Sequence, residues 1–418
     1  MGPMTATEHA SLDVEAIREE YPILSRTIDD ETPLIYLDNA ATTQTPEPVL
    51  RAMDEFYHEY NANVHRGIHQ LSMEASIEYE EAHDRLARFV GADGREEIVF
   101  TKNTTEAMNT VAQAWGRAHL DEDSAVVLTE MDHHASLVPF TQVAEWTGAE
   151  VRHIPVDETG HLDLDRAAEL IDDDVELVSV PHVSNTLGTV NPLGELADLA
   201  HEHDARILGD GAQAVPSRPV DVKALDVDFY AFSGHKMAGP TGIGVLYGRA
   251  DLLESMPPFQ FGGGMIERVT LEGATWAEVP WKFEAGTPPI AEGIGLAAAA
   301  DYLDDLGMEA IEAHEAWVTE YAHERLAERP DVTVVGPPVG EERGSLVSFT
   351  LDGVHPHDLS SILNETGVAV RAGDHCTQPL HDALDVSATT RASFYVYNTT
   401  AEVDALLEGL DVAKELFD

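Results

Sequence analysis

The sequence predicts an α/β protein: a doubly wound, mostly parallel seven-stranded sheet, followed by a smaller α+β domain at the C-terminal end. Three observations predict it. From residue 97 onward, short apolar runs alternate with stretches of helical period. The connections between them are short. Further on, the alternation gives way to fewer, more widely separated strands, and a second domain is expected from near residue 296. No internal repeat or low-complexity linker interrupts the pattern.

Taken in order, residues 11–20 read as a short amphipathic helix, with Ser11 as its N-cap and Leu12 and Ile17 on one face. Residues 33–37 are expected as a strand, 38–43 as a small-residue turn and 46–60 as a helix. The polar loop 61–69 leads into a long helix, 72–90, with acidic outer positions. The regular run then supplies strands at 97–101, 125–129, 150–155, 176–180, 206–210, 229–233 and 244–247. Between them come helices at 106–118, from 137 to about 147, 163–171 and 193–203. Residues 262–287 are Gly-rich and irregular. Helices are expected at 290–306, 309–329, 357–365 and 401–416, and strands at 332–335, 346–350 and 368–371.

Composition removes several function classes. The 418 residues hold 77 acidic and 24 basic side chains, a net charge of −53 spread along the whole chain. Self-repulsion of this size destabilises a compact state in dilute buffer, and concentrated salt screens it. The charge therefore points to a salt-rich cytoplasm rather than to an activity. No basic stripe exists to bind nucleic acid. A single cysteine, Cys376, excludes an internal disulfide. Residues 1–24 lack the pattern of a signal peptide, and no run approaches 18 apolar residues. The pairs His65/His69, His133/His134 and His201/His203 have no third ligand at a recognisable spacing, so no metal is expected.

The chemistry centres on residues 228–246. Of only five lysines, Lys236 alone lies between two runs that read as fully buried. Burial lowers an ammonium pKa, the condition for an amine nucleophile or a Schiff base. The plain alternative is a strand-end lysine reaching water along its stem; the buried flanks and the neighbouring Ser233, Gly234 and His235 weigh against it. In a doubly wound sheet, ligands bind beyond the carboxyl ends of the strands. Thr104 and Thr105 open a helix at that edge and suit a phosphate, although capping alone explains one threonine. His133 follows a strand end, where a surface histidine is also ordinary. Asp210 ends a strand and is followed by Gly211, Ala212 and Gln213, which turn chemistry could explain. Together these residues supply an anion cradle, a carboxylate, a ring platform and an amine, the set that pyridoxal phosphate needs. Neither a Walker A motif nor G-x-G-x-x-G after a strand is present, so nucleotide readings lose.

Ten segments occur in order along nearly the whole chain: Tyr36-Leu-Asp-Asn-Ala-Ala-Thr42, Asn63-Val-His-Arg-Gly-Ile-His69, Lys102-Asn-Thr-Thr-Glu106, Met131-Asp-His-His134, His182-Val-Ser-Asn185, Asp210-Gly-Ala-Gln213, Phe232-Ser-Gly-His-Lys236, Phe283-Glu-Ala-Gly-Thr287, Arg371-Ala-Gly-Asp-His-Cys376 and Arg391-Ala-Ser-Phe394. On these the chain resembles the fold-type I pyridoxal-phosphate enzymes of the class V aminotransferase superfamily, and within them the SUF-type (group II) cysteine desulfurases. The family usually has His at position 374 and Ala at 377, where this chain has Asp374 and Thr377.

The resemblance implies a role for each matching residue. Lys236 would hold the cofactor as a Schiff base and Asp210 would bind the pyridine nitrogen. His133 would stack on the ring and Gln213 would contact its hydroxyl. Thr105, Ser233 and His235 would hold the phosphate, joined by Gly286 and Thr287 from the second subunit of a homodimer. Arg391 would clamp the substrate carboxylate, with Asn185 nearby and His65 and Arg371 lining the pocket. Cys376 would accept sulfur from L-cysteine as a persulfide, leaving L-alanine, with Arg371 and His375 favouring its thiolate. The acceptor would be a SUF-type sulfur carrier or scaffold serving iron–sulfur cluster assembly in the cytoplasm. The expected division is an N-terminal segment packing with the small domain (1–29), a large cofactor-binding domain (30–295) and a small domain (296–418). The alternatives are a selenocysteine lyase, another class V aminotransferase-like enzyme, or a catalytically silent partner of a sulfur carrier.

Overall fold

A computed structural model describes residues 12–29 and 31–417. The first helix runs Val14–Glu19, capped by Asp13, whose carboxylate accepts from Ala16 N at 3.2 Å. Ser11, expected as that cap, lies outside the described residues.

The central sheet has seven strands in the order Ile98–Thr101, Gly244–Gly248, Phe229–Ser233, Arg206–Asp210, Val175–Pro181, Ala125–Thr129, Glu150–Ile154. Only Gly244–Gly248 runs antiparallel to its neighbours; the other pairs are parallel. Four of the strands are buried at every residue, as a sheet covered on both faces requires. Alternate side chains serve opposite faces. Ile98 and Phe100 join the core with helices Gln70–Phe89 and Ile290–Leu306. Val99 joins Met108, Trp115 and Phe140 on the other side. Gly244 is required by close approach: a Cβ there would lie 2.6 Å from Asn103 Cα, where the chain turns into the helix beginning at Thr104.

A second, antiparallel sheet has the order Val332–Val335, Leu346–Leu351, Thr389–Ser393, Arg371–Gly373 and its own core. The N-terminal segment is tied to this end of the molecule. Ile35–Tyr36 pairs with Val368–Ala369, and Arg18 Nη1 meets Glu402 at 2.9 Å and the Tyr397 carbonyl at 2.6 Å.

Several elements differ from expectation. Residues 262–287 contain an antiparallel hairpin, Ile266–Val269 with Ala274–Trp276, whose mostly exposed residues give no apolar alternation to read. The strand Thr389–Ser393 was not expected because Thr-Thr-Arg-Ala-Ser is polar, yet all five residues are buried. The strand expected at 368–371 is split: Val368–Ala369 pairs with the N-terminal segment and Arg371–Gly373 with Thr389–Ser393. Short helices Ala250–Ser255 and Gln378–Ala383 also appear.

Candidate active site

The strands ending at Thr129, Pro181, Asp210 and Ser233 run the same way, so their carboxyl ends share one edge of the sheet. Beyond it lies a cavity of about 450 Å³ that gathers all but three of the predicted site residues.

Lys236 stands one 3₁₀ turn, Gly234–Lys236, past the buried strand Phe229–Ser233. Burial lowers its ammonium to about 8, with Asp210 pulling the other way, and Nζ makes no hydrogen bond among the described residues. Asp210 is 6% exposed. Its Oδ1 accepts from Ala212 N at 3.0 Å. Burial raises its carboxyl pKa, opposed by that N–H and by Lys236. His133 caps the helix His134–Thr147, its Nδ1 accepting from Ala135 N at 3.0 Å. Burial, then the Lys236 charge, hold it near 4, so its ring is neutral. His235 is held near 4 by the same two causes.

Ser233 Oγ accepts from Thr104 N at 2.8 Å and lies 2.7 Å from Thr104 Oγ1, tying the start of the helix to the strand end. Thr105 lines the cavity at this tie. Gln213 donates to the Ala40 carbonyl at 2.7 Å.

The opposite wall comes from the second sheet. Arg391, 2% exposed, donates from Nη1 to the Asn185 carbonyl at 2.8 Å, and its Nε has no hydrogen-bond partner among the described residues. Burial lowers Arg391 to about 10, which leaves it cationic. Arg371 grips Asp38 through Nη2 at 2.7 Å and Nε at 3.1 Å. Asp38 also lies 3.6 Å from Arg391, so one carboxylate bridges both arginines. Asp38 was read as part of a turn, and an Asp just past the short strand Ile35–Tyr36 was the signal that could have found it. His134 was likewise missed: its backbone N donates to the Cys376 carbonyl at 2.8 Å and its Nε2 accepts from Gln378 N at 3.2 Å.

Cys376 is exposed and lines the cavity. Lys236, Arg371 and Arg391 all interact with it electrostatically. His375 does not add a charge as expected. It is buried against Thr389 (2.9 Å), and burial first, then Arg391, push it down to about 2.

Three predicted residues stand outside the cavity of their own chain. His65 lies against Trp281, ring centroids 4.7 Å apart, and 3.8 Å from Glu80. Its backbone N donates to Ser76 Oγ at 2.8 Å. Gly286 and Thr287, expected to serve a second copy, are exposed. Among the described residues no His, Cys, Asp or Glu cluster is arranged for a metal, and no helix is long and apolar enough to cross a membrane.

The aminotransferase class-V family matches residues 35–406. The chain is 62% identical to a cysteine desulfurase of Haloferax volcanii, over 99% of this chain and 100% of that one. The chain belongs to the cysteine desulfurases. It is equally similar, at 62%, to a probable cysteine desulfurase of Halobacterium salinarum, again over 99% and 100% of the two chains. Among solved structures it resembles the apo cysteine desulfurase of Thermococcus onnurineus (TM-score 0.90, 41% identity, 100% and 99% covered). It also resembles the cysteine desulfurase CsdA of Escherichia coli (TM-score 0.89, 39% identity, 97% and 99% covered). The fold is that of the fold-type I enzymes, and the cofactor of these cysteine desulfurases is pyridoxal 5′-phosphate. The residues present fit that group. The second Asp210 oxygen accepts no hydrogen bond among the described residues, and the Lys236 amine is equally unengaged. A buried acceptor and a buried amine on one cavity match a ring nitrogen and an aldehyde carbon.

Proposed function

We propose that the chain converts L-cysteine to L-alanine and takes the sulfur onto Cys376 as a persulfide. The observation that carries this reading is the placement of the Lys236 amine, the Asp210 carboxylate and the chain's only thiol on one cavity. When bound, pyridoxal phosphate supplies a carbonyl for the substrate amine and a sink for the electrons released at its α-carbon. Asp210 keeps a proton on the ring nitrogen. His133 would offer a neutral ring face, Gln213 would contact the ring hydroxyl, and Thr105, Ser233 and His235 would hold the phosphate. Arg391 takes the substrate carboxylate, with Arg371 and Asn185 beside it. Lys236 would hold the cofactor, and an amine near 8 is suited to moving the substrate α-proton. The Cys376 thiolate attacks the substrate sulfur. An S–S bond forms, the C–S bond breaks, and its electrons pass to the β-carbon, which is protonated to give alanine.

The finer reading is a SUF-type enzyme that passes the persulfide sulfur to an acceptor protein for iron–sulfur cluster assembly in a salt-rich cytoplasm. It works as a homodimer, in which Gly286 and Thr287 complete the phosphate site of the second copy. Exposed Ile68, Leu71 and Ile77, and Phe261 and Leu271, supply apolar surface for that contact. The division into 1–29, 30–295 and 296–418 is supported by the separate C-terminal core and by the Arg18–Glu402 pair.

The test is a visible absorption spectrum in molar salt, before and after L-cysteine, with alanine and sulfide assayed in the same tube. A yellow protein whose band shifts while alanine forms is the expected result. Cys376→Ser should keep the band and abolish turnover; full desulfurase activity in that variant would remove Cys376 from the mechanism.

A further inference from the structure

The turn that carries Cys376 has an uncommon backbone. His375 and Cys376 have φ of 49° and 62°, a region that residues with a Cβ rarely adopt. Thr377 N donates to the Asp374 carbonyl at 2.8 Å, closing a four-residue turn with positive φ at both central positions. Such turns ordinarily place Asn, Asp or Gly at those positions. Here they hold a histidine and the cysteine, so contacts from outside the central pair must impose the shape.

Those contacts are present. Asp374 Oδ1 accepts from Cys376 N at 3.0 Å. Thr377 Oγ1 donates to the Asp374 carbonyl at 2.9 Å and lies 2.9 Å from Thr186 Oγ1 on the central-sheet side of the cavity. Asn185 Nδ2 donates to the His375 carbonyl at 2.8 Å, and His134 N to the Cys376 carbonyl at 2.8 Å. The thiol itself remains exposed on the cavity.

We propose that Asp374 is a positioning residue for sulfur transfer. By accepting the Cys376 amide, its carboxylate oxygen holds the cysteine in the left-handed backbone that presents Sγ to the cavity, and Thr377 anchors the same turn to Thr186. The inference rests on the reading of Cys376 as the sulfur acceptor. It assigns the effect to the acceptor atom and not to the charge. Asp374→Asn keeps an acceptor at that position and removes the charge; Asp374→Ala removes both.

The experiment uses the full-length holoenzyme in molar salt. It measures kcat and KM for cysteine by alanine formation, the cofactor band, and the rate at which iodoacetamide labels the single cysteine. Asp374→Ala should lower kcat by about tenfold or more at nearly unchanged KM, since small misplacements of a reacting group are costly. Asp374→Asn should stay within about threefold of the parent, and Thr377→Ala should lose about threefold in kcat. Labelling should be as fast as in the parent or faster, because the thiol is exposed and only its aim is lost. An Asp374→Asn variant that falls as far as Asp374→Ala overturns the proposal, because charge would then be the cause. An Asp374→Ala variant with parental kcat also overturns it. Should Asp374→Ala lose its cofactor band, the other two variants decide: parental Asp374→Asn beside lowered Thr377→Ala supports the clamp, and any other pairing sinks it. Cys376→Ser is run alongside; turnover there defeats the sulfur-acceptor reading itself and is read separately from the Asp374 results.

Discussion

Lys236 and Cys376 reach one cavity from supports that differ in kind. Lys236 stands one turn beyond a strand whose five residues are all buried, so apolar packing on both faces of the sheet sets its place. Cys376 stands between a three-residue strand and a six-residue helix, where little apolar surface is available. Its backbone is set by hydrogen bonds from residues about 190 positions away in sequence. The two jobs call for the two supports. An amine that must be neutral near pH 8 needs a dry site. On the proposed reading, a thiol that receives sulfur and hands it on has to stay exposed, and a polar clamp can fix an exposed residue without burying it.

Three further changes would break or sharpen that contrast. The largest effect belongs to the buried support. Lys236→Ala should abolish the covalent cofactor band and cut alanine formation by at least about a thousandfold. A variant that still forms alanine at a tenth of the parental rate would show that the amine is dispensable. Next comes pH. The folded Lys236 value lies below the ordinary lysine value, so the ammonium predominates below about 8 and the reactive neutral amine above it. The rate at which cofactor-free protein takes up pyridoxal phosphate, followed by absorbance, should therefore rise about tenfold between pH 7 and 9. A flat profile would mean that burial does not control this amine. The smallest effect belongs to the cavity wall opposite the central sheet. Asp38→Ala releases Arg371 and loosens Arg391, and should raise KM for cysteine about fivefold with kcat little changed. An unchanged KM would mean that the bridge does not shape the carboxylate site.

The same contrast explains what could be read from the chain. The seven central strands were legible to within a residue or two because most are continuous apolar runs bounded by turns; Glu150–Ile154, a mixed strand at the sheet edge, is the exception in composition. Asp210 was found because it ends such a run, and Lys236 because it lies between two of them. Thr389–Ser393 escaped notice: its burial comes from neighbours contributed by distant segments, and its own residues are polar. His375 was expected to lend charge to the thiol, and only the packing against Thr389 shows it buried and neutral. His65 sits within a recognisable motif in a polar loop, yet its ring packs against Trp281 and does not line its own chain's cavity.

By itself the sequence determined the layered architecture, the edge at which a ligand binds and the buried amine at its centre. Each of these follows from local apolar periodicity and from where a run stops. Only the tertiary structure decided that Asp38 bridges Arg371 and Arg391, that Asn185, His134 and Thr186 clamp the cysteine turn, and that the C-terminal sheet closes the cavity. Those arrangements depend on single polar atoms meeting across hundreds of positions, and no local period encodes such a meeting.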